Sequence, residues 1–447
     1  MRLRTFFIET WGCQMNRHDS ERMAGILRRA GLDPAQEPDT ADLVLLNTCS
    51  VHEKAVQKIV SRIGQLRRRA PDAAIGVCGC VAQQEGEALL ARAPQVRFVL
   101  GPRQIPRLAE AVERARAGER PVIVGFDTDL EAYATETILR TSTARAMVTV
   151  TEGCDEFCTF CVVPYTRGRE ASRPMRHILA EVRTLLADGV REVELLGQTI
   201  NAYRCPETGA RFPDLLDAVA SEPGLARLRY ITSHPRHFDD PLIEVIARHR
   251  NLSRYLHLPF QAGSDPVLRR MRRRYTRAEY LDLVERIRSA VPEINLSTDV
   301  IVGFPGETEE DFAQTLELLE RVRFGQVFAF AYSPRPRTPA ARYPDQVPEE
   351  VKKERLARLF ELADGISLAL NRELVGREVE VLIDGDSRRS PRHWQGRTPD
   401  NRVVNFPKTG REGVGDLVRV RIARATAHSL AGEVVPASLP GRLPVAG

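Results

Sequence analysis

The sequence predicts an α/β chain in three parts: a doubly wound N-terminal domain, an incomplete (β/α)6 barrel, and a small C-terminal all-β barrel of OB-like type. The first two parts follow from short apolar runs that alternate with amphipathic stretches in two successive series, the pattern of parallel strands joined by helical crossovers. The second series packs its units into about 190 residues, short of the roughly 250 typical of a closed eight-unit barrel. The third part follows because the helical pattern stops after residue 370 and short strands alternate with Gly, Asp and Pro turns.

Within residues 1–125 the series runs TFFIET, a helix near Ser20 to Arg29, DLVLLNT, a helix from Glu53 to Arg69, then AAIGV, RFVLG and PVIVG. Residues 126–145, rich in Asp, Thr and Ser, read as a linker. The barrel, 146–370, has strands at Met147 to Thr151, Glu192 to Leu196, Leu228 to Thr232, Tyr255 to Leu258, Asn295 to Val302 and Val327 to Ala331. An amphipathic helix from Glu349 to Ala369 closes it. The strands VEVLID, RVVNF, LVRVRI and GEVV fall in 371–436, and the Pro- and Gly-rich tail 437–447 is expected to fray.

Hydrophobic residues at 43% and charged residues at 28% give the balance of a folded globular protein and exclude a disordered chain. A net charge of +5, from 65 basic against 60 acidic residues, is compatible with a polyanionic partner without demonstrating one. No N-terminal apolar run suits a signal peptide, and no segment reaches the ~18 apolar residues of a membrane span. A cytoplasmic location with no membrane partner is therefore expected. In a reducing compartment the eight cysteines are metal ligands or redox groups sooner than disulfides.

Cys154, Cys158 and Cys161 form CxxxCxxC directly after the first barrel strand, where the active-site loops of such barrels lie. A structural zinc site takes four ligands, whereas three thiolates on a four-iron cluster leave one iron open for a substrate molecule. A zinc clip completed by a distant ligand is the alternative. Cys13, Cys49 and Cys80 each follow a strand of the first domain, and such loops converge at one edge of an open parallel sheet. They read as a second three-thiol site, as three unrelated core cysteines, or as a zinc site that borrows His18 or His52. Cys78, two residues from Cys80, shares its strand face by period and reads as a core thiol; Cys205 has no partner pattern.

With Phe160 at the aromatic place of CxxxCxΦC, the sequence resembles the radical S-adenosylmethionine superfamily. GCQMN, LLNTCSV, GCVAQQEG, GCDEFCTFCVVPYTRGREASRP, LLGQTINAY, TSHP, HLPFQAGS, DVIVGFPGETEEDF, FAYSPRP and NRVVNF, in this order, further resemble the methylthiotransferases that modify transfer RNA. The resemblance implies a methylthiotransferase N-terminal domain, a radical S-adenosylmethionine barrel and an RNA-holding TRAM barrel. It implies two 4Fe-4S clusters, an auxiliary one on Cys13, Cys49 and Cys80 and a radical one on Cys154, Cys158 and Cys161. One S-adenosylmethionine supplies a methyl group and another a 5′-deoxyadenosyl radical, and the product is the 2-methylthio derivative of isopentenylated adenosine 37.

By position and resemblance, Phe160, Gln198, Ser233, Gln261, Gly303 and Glu307 are expected around the cofactor. Arg397, Asn401, Arg402 and Phe406 are expected to grip RNA, arginine through phosphate and phenylalanine by stacking. At least half of the run Arg269, Arg270, Arg272, Arg273, Arg274 and Arg277 is expected to be solvated surface. Implied partners are the anticodon stem-loop, a sulfur donor, and an electron donor such as flavodoxin or ferredoxin. The family pattern is broken at Thr199 and Ile200 (usually Asn-Val), Ala262 (Ser), Arg337 (Gly) and His52 (Arg). Rival functions are the same chemistry on threonylcarbamoyl adenosine or on a ribosomal protein, and a non-catalytic RNA-binding Fe-S redox sensor.

Overall fold

The computed structural model of the chain describes residues 3–50, 55–126, 138–140 and 142–436. His52, Glu53, most of the expected linker and the expected tail lie outside the described residues. The N-terminal domain is a six-stranded sheet in the order Asp33–Pro34, Thr5–Trp11, Leu43–Thr48, Ala74–Gly79, Val96–Leu100, Val122–Ile123. All neighbouring strands are parallel. Leu43–Thr48 and Ala74–Gly79 are buried at every position, because helices cover both faces. Met23 and Leu27 of the helix Gln14–Arg29 pack with Leu45, Phe98 and Leu108 on one face; Ile59, Ile63 and Leu66 of Ala55–Arg69 pack with Val44 and Val77 on the other. The sheet order reverses between Thr5–Trp11 and Leu43–Thr48, and open α/β sheets bind ligands at such a reversal, beyond the strand carboxyl ends.

The second domain has six parallel strands in two groups of three. Arg227–Tyr230, Glu192–Leu196 and Arg145–Thr149 form one group; Tyr255–His257, Asn295–Val302 and Gln326–Ala331 form the other. A single parallel bridge from Leu228 to Leu252 joins them. Among the described residues the outer edges of Arg145–Thr149 and Gln326–Ala331 pair with no further strand, so the barrel is open on one side. Val148, Val193, Leu195, Leu228, Leu256, Val300 and Ala329 point outward into one core shared with the surrounding helices. The first strand starts at Arg145, two residues before the expected Met147, and the closing helix runs Glu349–Arg372.

The third domain is a closed barrel of five strands in the order Glu378–Ser387, Ser390–Arg397, Val403–Pro407, Leu430–Val434, Leu417–Ala425. Val381, Ile383, Val404, Phe406, Val418, Val420 and Ile422 fill it. It docks on the floor of the radical barrel, where the parallel strands begin. Arg229 donates to Glu192 (2.9 Å) and to the Thr398 carbonyl (2.9 Å). Arg227 donates to the Arg397 carbonyl (2.9 Å) and to Glu380 (3.0 Å), and Ser253 donates to the Pro399 carbonyl (2.6 Å). The loop between the second and third strands of the small barrel thus plugs the floor of the large one.

Candidate functional site

Gly153 opens the CxxxCxxC loop with φ +83, and a Cβ there would lie 2.1 Å from the Arg169 carbonyl. Only glycine allows this approach. The chain then folds back, pairing Thr151 with Ser172 and Glu152 with Ala171, and the Cys154 N–H donates to the Gly168 carbonyl at 3.2 Å. Gln198 accepts from the Gly153 N–H at 2.5 Å, so it braces the loop from the next strand. Cys154 Sγ lies 3.1 Å from the Thr199 hydroxyl. Cys154 and Cys158 are buried and Cys161 is half-buried. Burial pushes the Cys161 thiol up to about 12 and raises Cys154.

Arg273 stands beside this triplet. Its guanidinium donates to Cys158 Sγ (3.5 Å), the Pro259 carbonyl (3.1 Å) and the Tyr275 hydroxyl (3.0 Å). Among the described residues no carboxylate forms an ion pair with it, and Cys158 is the cysteine its guanidinium meets. Glu156, inside the loop, accepts from His237 at 2.6 Å and faces Arg236 at 3.5 Å. Glu156, His234 and His237 could in principle hold a metal, as their ligand atoms lie within 4.8 Å of one another. His234 Nδ1, however, accepts from the Arg236 N–H, so a neutral ring carries its hydrogen on Nε2, the atom turned to Glu156. The cluster is a brace between two loops.

The second triplet sits at the sheet reversal. Cys13 caps the N-terminus of Gln14–Arg29, Cys49 follows Leu43–Thr48, and Cys80 begins the helix Cys80–Glu85. A hydrogen bond from Cys49 and the charge of Arg167 pull the Cys13 thiol down to about 6. Arg167 also bonds Cys80, whose thiol burial nonetheless raises. The three sulfurs therefore share one crevice. Arg167 comes from the barrel domain, in the hairpin that folds back on the Cys154 loop, and pairs with Asp19 at 2.6 Å. Arg103 of the N-terminal domain donates to the carbonyls of Arg167, Glu152 and Arg169 at 3.0, 3.1 and 2.6 Å. One hairpin thus fixes the position of one triplet relative to the other.

His18 is buried with Nδ1 2.9 Å from Thr149 Oγ1 across the domain boundary, so it faces the barrel strand. That removes it as a zinc ligand beside Cys13. Cys78 is a core thiol among Leu45, Phe98 and Leu100, but it does not share a strand face with Cys80. Gly79, at φ +89, ends the strand, and Cys80 belongs to the helix. Cys205 is a buried core residue. Of the expected surface arginines, Arg269, Arg272 and Arg274 are exposed, whereas Arg273 is the buried neighbour of Cys158.

At the barrel rim the Ser233 hydroxyl is buried without a partner, as are those of Tyr332 and Ser333. Phe160 packs edge-on to Phe304 at 6.4 Å, which in turn meets Tyr332 at 5.2 Å. Gln261 has φ +70, and its backbone bonds Asp299 and Ile301. Two of the expected residues are also tied to the long helix Glu349–Arg372. Gly303 faces the long helix, since a Cβ would meet Lys352 at 2.4 Å. Glu307 accepts from the Gly303 N–H and from Arg355, both at 2.8 Å, so it anchors that loop to the helix.

The expected RNA grip is also corrected. Phe406 is fully buried in the small barrel and cannot stack on a base. Arg397 pairs with Asp384 (3.2 Å) and donates to Asn401 (3.0 Å); Arg402 pairs with Asp400 (2.9 Å) and donates to the Leu370 carbonyl (3.2 Å). These residues build the plug and its seam. Arg397 and Asn401 also line a 740 Å³ cavity where the three domains meet, which no cysteine lines. Exposed arginines lie elsewhere on the barrel: Arg388, Arg389 and Arg392 around the first hairpin, and Arg421 and Arg424 on the strand Leu417–Ala425. The signal for Arg421 was the alternation in LVRVRI, which turns Val418, Val420 and Ile422 inward.

Three family profiles match in succession: Uncharacterized protein family UPF0004 over residues 5–101, the Radical SAM superfamily over 148–319, and the TRAM domain over 372–435. A tRNA-2-methylthio-N(6)-dimethylallyladenosine synthase of Alkalilimnicola ehrlichii is 47% identical over 435 residues, 96% of this chain and 97% of that one. One of the same name from Bdellovibrio bacteriovorus is 45% identical over 436 residues, 97% and 96% of the two chains. Among solved structures, the radical S-adenosylmethionine methyltransferase TsrM of Kitasatospora setae superposes with a TM-score of 0.56 at 15% identity, over 76% of this chain and 74% of that one. That likeness concerns the fold. The full-length similarity is decisive: the chain belongs to the tRNA-2-methylthio-N(6)-dimethylallyladenosine synthase family of radical S-adenosylmethionine enzymes.

Proposed function

We propose that this chain converts N6-dimethylallyl adenosine 37 of transfer RNA to its 2-methylthio derivative, with Cys154, Cys158 and Cys161 holding a radical 4Fe-4S cluster and Cys13, Cys49 and Cys80 an auxiliary one. The observation that carries the reading is the pairing of two separate three-thiol sites through one hairpin. The donor sets fit the clusters, since each offers three thiols and one buried arginine beside them, and among the described residues neither offers a fourth protein ligand. The unpartnered hydroxyls of Ser233, Tyr332 and Ser333 suit a polar cosubstrate at the rim.

When bound, the clusters supply a single electron for cleavage of S-adenosylmethionine and a site for sulfur. The chain's own residues do the rest. Gln198 and Glu156 hold the Cys154 loop in place, Arg273 and Arg167 place positive charge against the thiolates, and the buried rim excludes water from a reactive centre. Arg389, Arg392 and Arg424 present charge to the RNA backbone. An electron donor such as flavodoxin or ferredoxin and a sulfur donor complete the reaction. Among the described residues no helix is long and apolar enough to cross a membrane, and the reading places the enzyme in the cytoplasm with its substrate.

Mass spectrometry of transfer RNA nucleosides from cells with and without the gene tests this. The 2-methylthio derivative should vanish in the deletion while its dimethylallyl precursor accumulates. An unchanged nucleoside profile would overturn the reading, and a change confined to threonylcarbamoyl adenosine would give the chain to the rival substrate.

A further inference from the structure

The last barrel strand, Gln326–Ala331, lies at the open side. Val327 and Ala329 pack outward against the helical core. Phe328 and Phe330 therefore point inward, and they remain 38% and 45% exposed. Two large apolar side chains left uncovered on one face of one strand are unusual among the inner residues of this barrel, whose floor is filled by ion pairs. They continue upward to Tyr332, which touches Phe304, which touches Phe160 of the cysteine loop. The aromatic row therefore leads from the radical site into the lumen.

Polar groups sit directly across from it. The register pairs Asp299 with Phe328 and Ile301 with Phe330. Asp299 is partly exposed, and one of its oxygens lies 3.3 Å from His257 Nε2. Ser297 donates its hydroxyl to Tyr255 and lies 2.9 Å from His257 Nδ1, so the ring is held between Ser297 on one side and the carboxylate on the other. The His257 ring also meets Phe328 edge-on at 5.8 Å. A carboxylate held in place thus adjoins an uncovered apolar seat.

Resting on the function proposed above, we infer that Phe328 and Phe330 seat the dimethylallyl group of the target base while Asp299 accepts the hydrogen on the same N6 nitrogen. The substituted nitrogen carries one hydrogen and one five-carbon apolar chain, the two features that Asp299 and its cross-strand aromatic neighbours match. Burying an alkyl group in an apolar seat discriminates modestly, by about tenfold or somewhat more. The two groups read different things. Asp299 reads a hydrogen present in alkylated and plain adenosine alike; the phenylalanines read only the alkyl chain.

The test uses cluster-loaded enzyme and two labelled anticodon stem-loops that differ only in the dimethylallyl group, with affinities read by fluorescence anisotropy. Wild type should favour the alkylated stem-loop by about tenfold. Phe328→Ala with Phe330→Ala should bring the ratio close to one with little change for the plain stem-loop, and Leu at both positions should keep most of the preference. Asp299→Asn should weaken both stem-loops and leave their ratio intact. If wild type shows no preference, the substrate reading itself fails. If wild type shows it and the double Ala variant keeps it, the subsite is wrong while the substrate reading stands. Loss of S-adenosylmethionine cleavage without RNA, with the ratio intact, would give the aromatic row to the cosubstrate and overturn the inference.

Discussion

Glu192→Gln tests how the small barrel is held, because this carboxylate is the hub of the floor. Its side chain is 1% exposed and meets Arg229 and Arg145 at 2.9 Å and Arg227 at 3.4 Å. Although burial raises a carboxyl pKa, the three arginines win and hold this one below its ordinary value. With Gln in place, Arg145 keeps Asp384 and Arg227 keeps Glu380, but Arg229 keeps only the Ser253 hydroxyl and the Thr398 carbonyl. One buried guanidinium is left uncompensated, which costs about 3–5 kcal/mol. At about 2–4 °C per kcal/mol for a domain of this size, the barrel transition should fall by roughly 6–20 °C.

Differential scanning calorimetry reads that shift, and limited proteolysis should release the C-terminal barrel sooner. Replacing the pair together, as Glu192→Gln with Arg229→Met, should recover part of the loss, since no orphan charge remains. The pH dependence has a defined sign. A depressed folded pKa stabilises above the unfolded value, about 4.3, and that contribution is lost as pH falls through the folded value. The gap between wild type and Glu192→Gln should therefore be full at pH 7 and close only in acid below about pH 4. A shift under 2 °C, or a double variant no better than the single one, would refute the account of the floor.

Other predictions follow the same lines. Arg337 stands at φ +69, a backbone region that favours glycine, so Arg337→Gly should stabilise by about 1 kcal/mol, read as a higher denaturant midpoint. Phe406→Ala should destabilise the small barrel by about 3–5 kcal/mol, as a core truncation does, whereas a base-stacking residue would cost binding with little loss of stability. Replacing Arg389, Arg392 and Arg424 by Ala should flatten the salt dependence of stem-loop affinity by about one unit for each phosphate no longer neutralised. Arg273→Met should shift the midpoint of the radical cluster to more negative potential with iron content retained, because hydrogen bonds and positive charge near the sulfurs raise it; an unchanged midpoint would mean that Arg273 only supports Pro259 and Tyr275.

The architecture was legible because its signals are local. The apolar runs LVLL and AAIGV mark strands covered on both faces, and Cys49 and Cys80 stand just beyond those two strands as Cys13 does beyond TFFIETW. The second strand of the small barrel was not legible: SPRHWQGR holds a proline, two arginines and one large apolar residue, and becomes a strand only by pairing on both sides. Long-range commitments were equally silent. Nothing in DNRVVNF says that the Asp400 carbonyl will accept from Asn295 or that Phe406 will be core, and nothing in MRRRY distinguishes buried Arg273 from its exposed neighbours. The departure at Arg337 was readable, because the need for a left-handed residue is a property of the turn itself.

The central claim is that two separate cysteine triplets serve two steps of one reaction. Its most direct test is anaerobic reconstitution of three proteins: wild type, Ala at Cys13, Cys49 and Cys80, and Ala at Cys154, Cys158 and Cys161. Each is given S-adenosylmethionine, reductant, sulfide and the alkylated stem-loop, with iron, 5′-deoxyadenosine and the 2-methylthio nucleoside quantified together. Wild type should bind about eight irons and form the nucleoside, and each triple variant should bind about four. The Cys13 variant should still release 5′-deoxyadenosine without forming the nucleoside, and the Cys154 variant should release none. Cleavage that survives loss of Cys154, Cys158 and Cys161, or methylthio product that survives loss of Cys13, Cys49 and Cys80, would contradict the account.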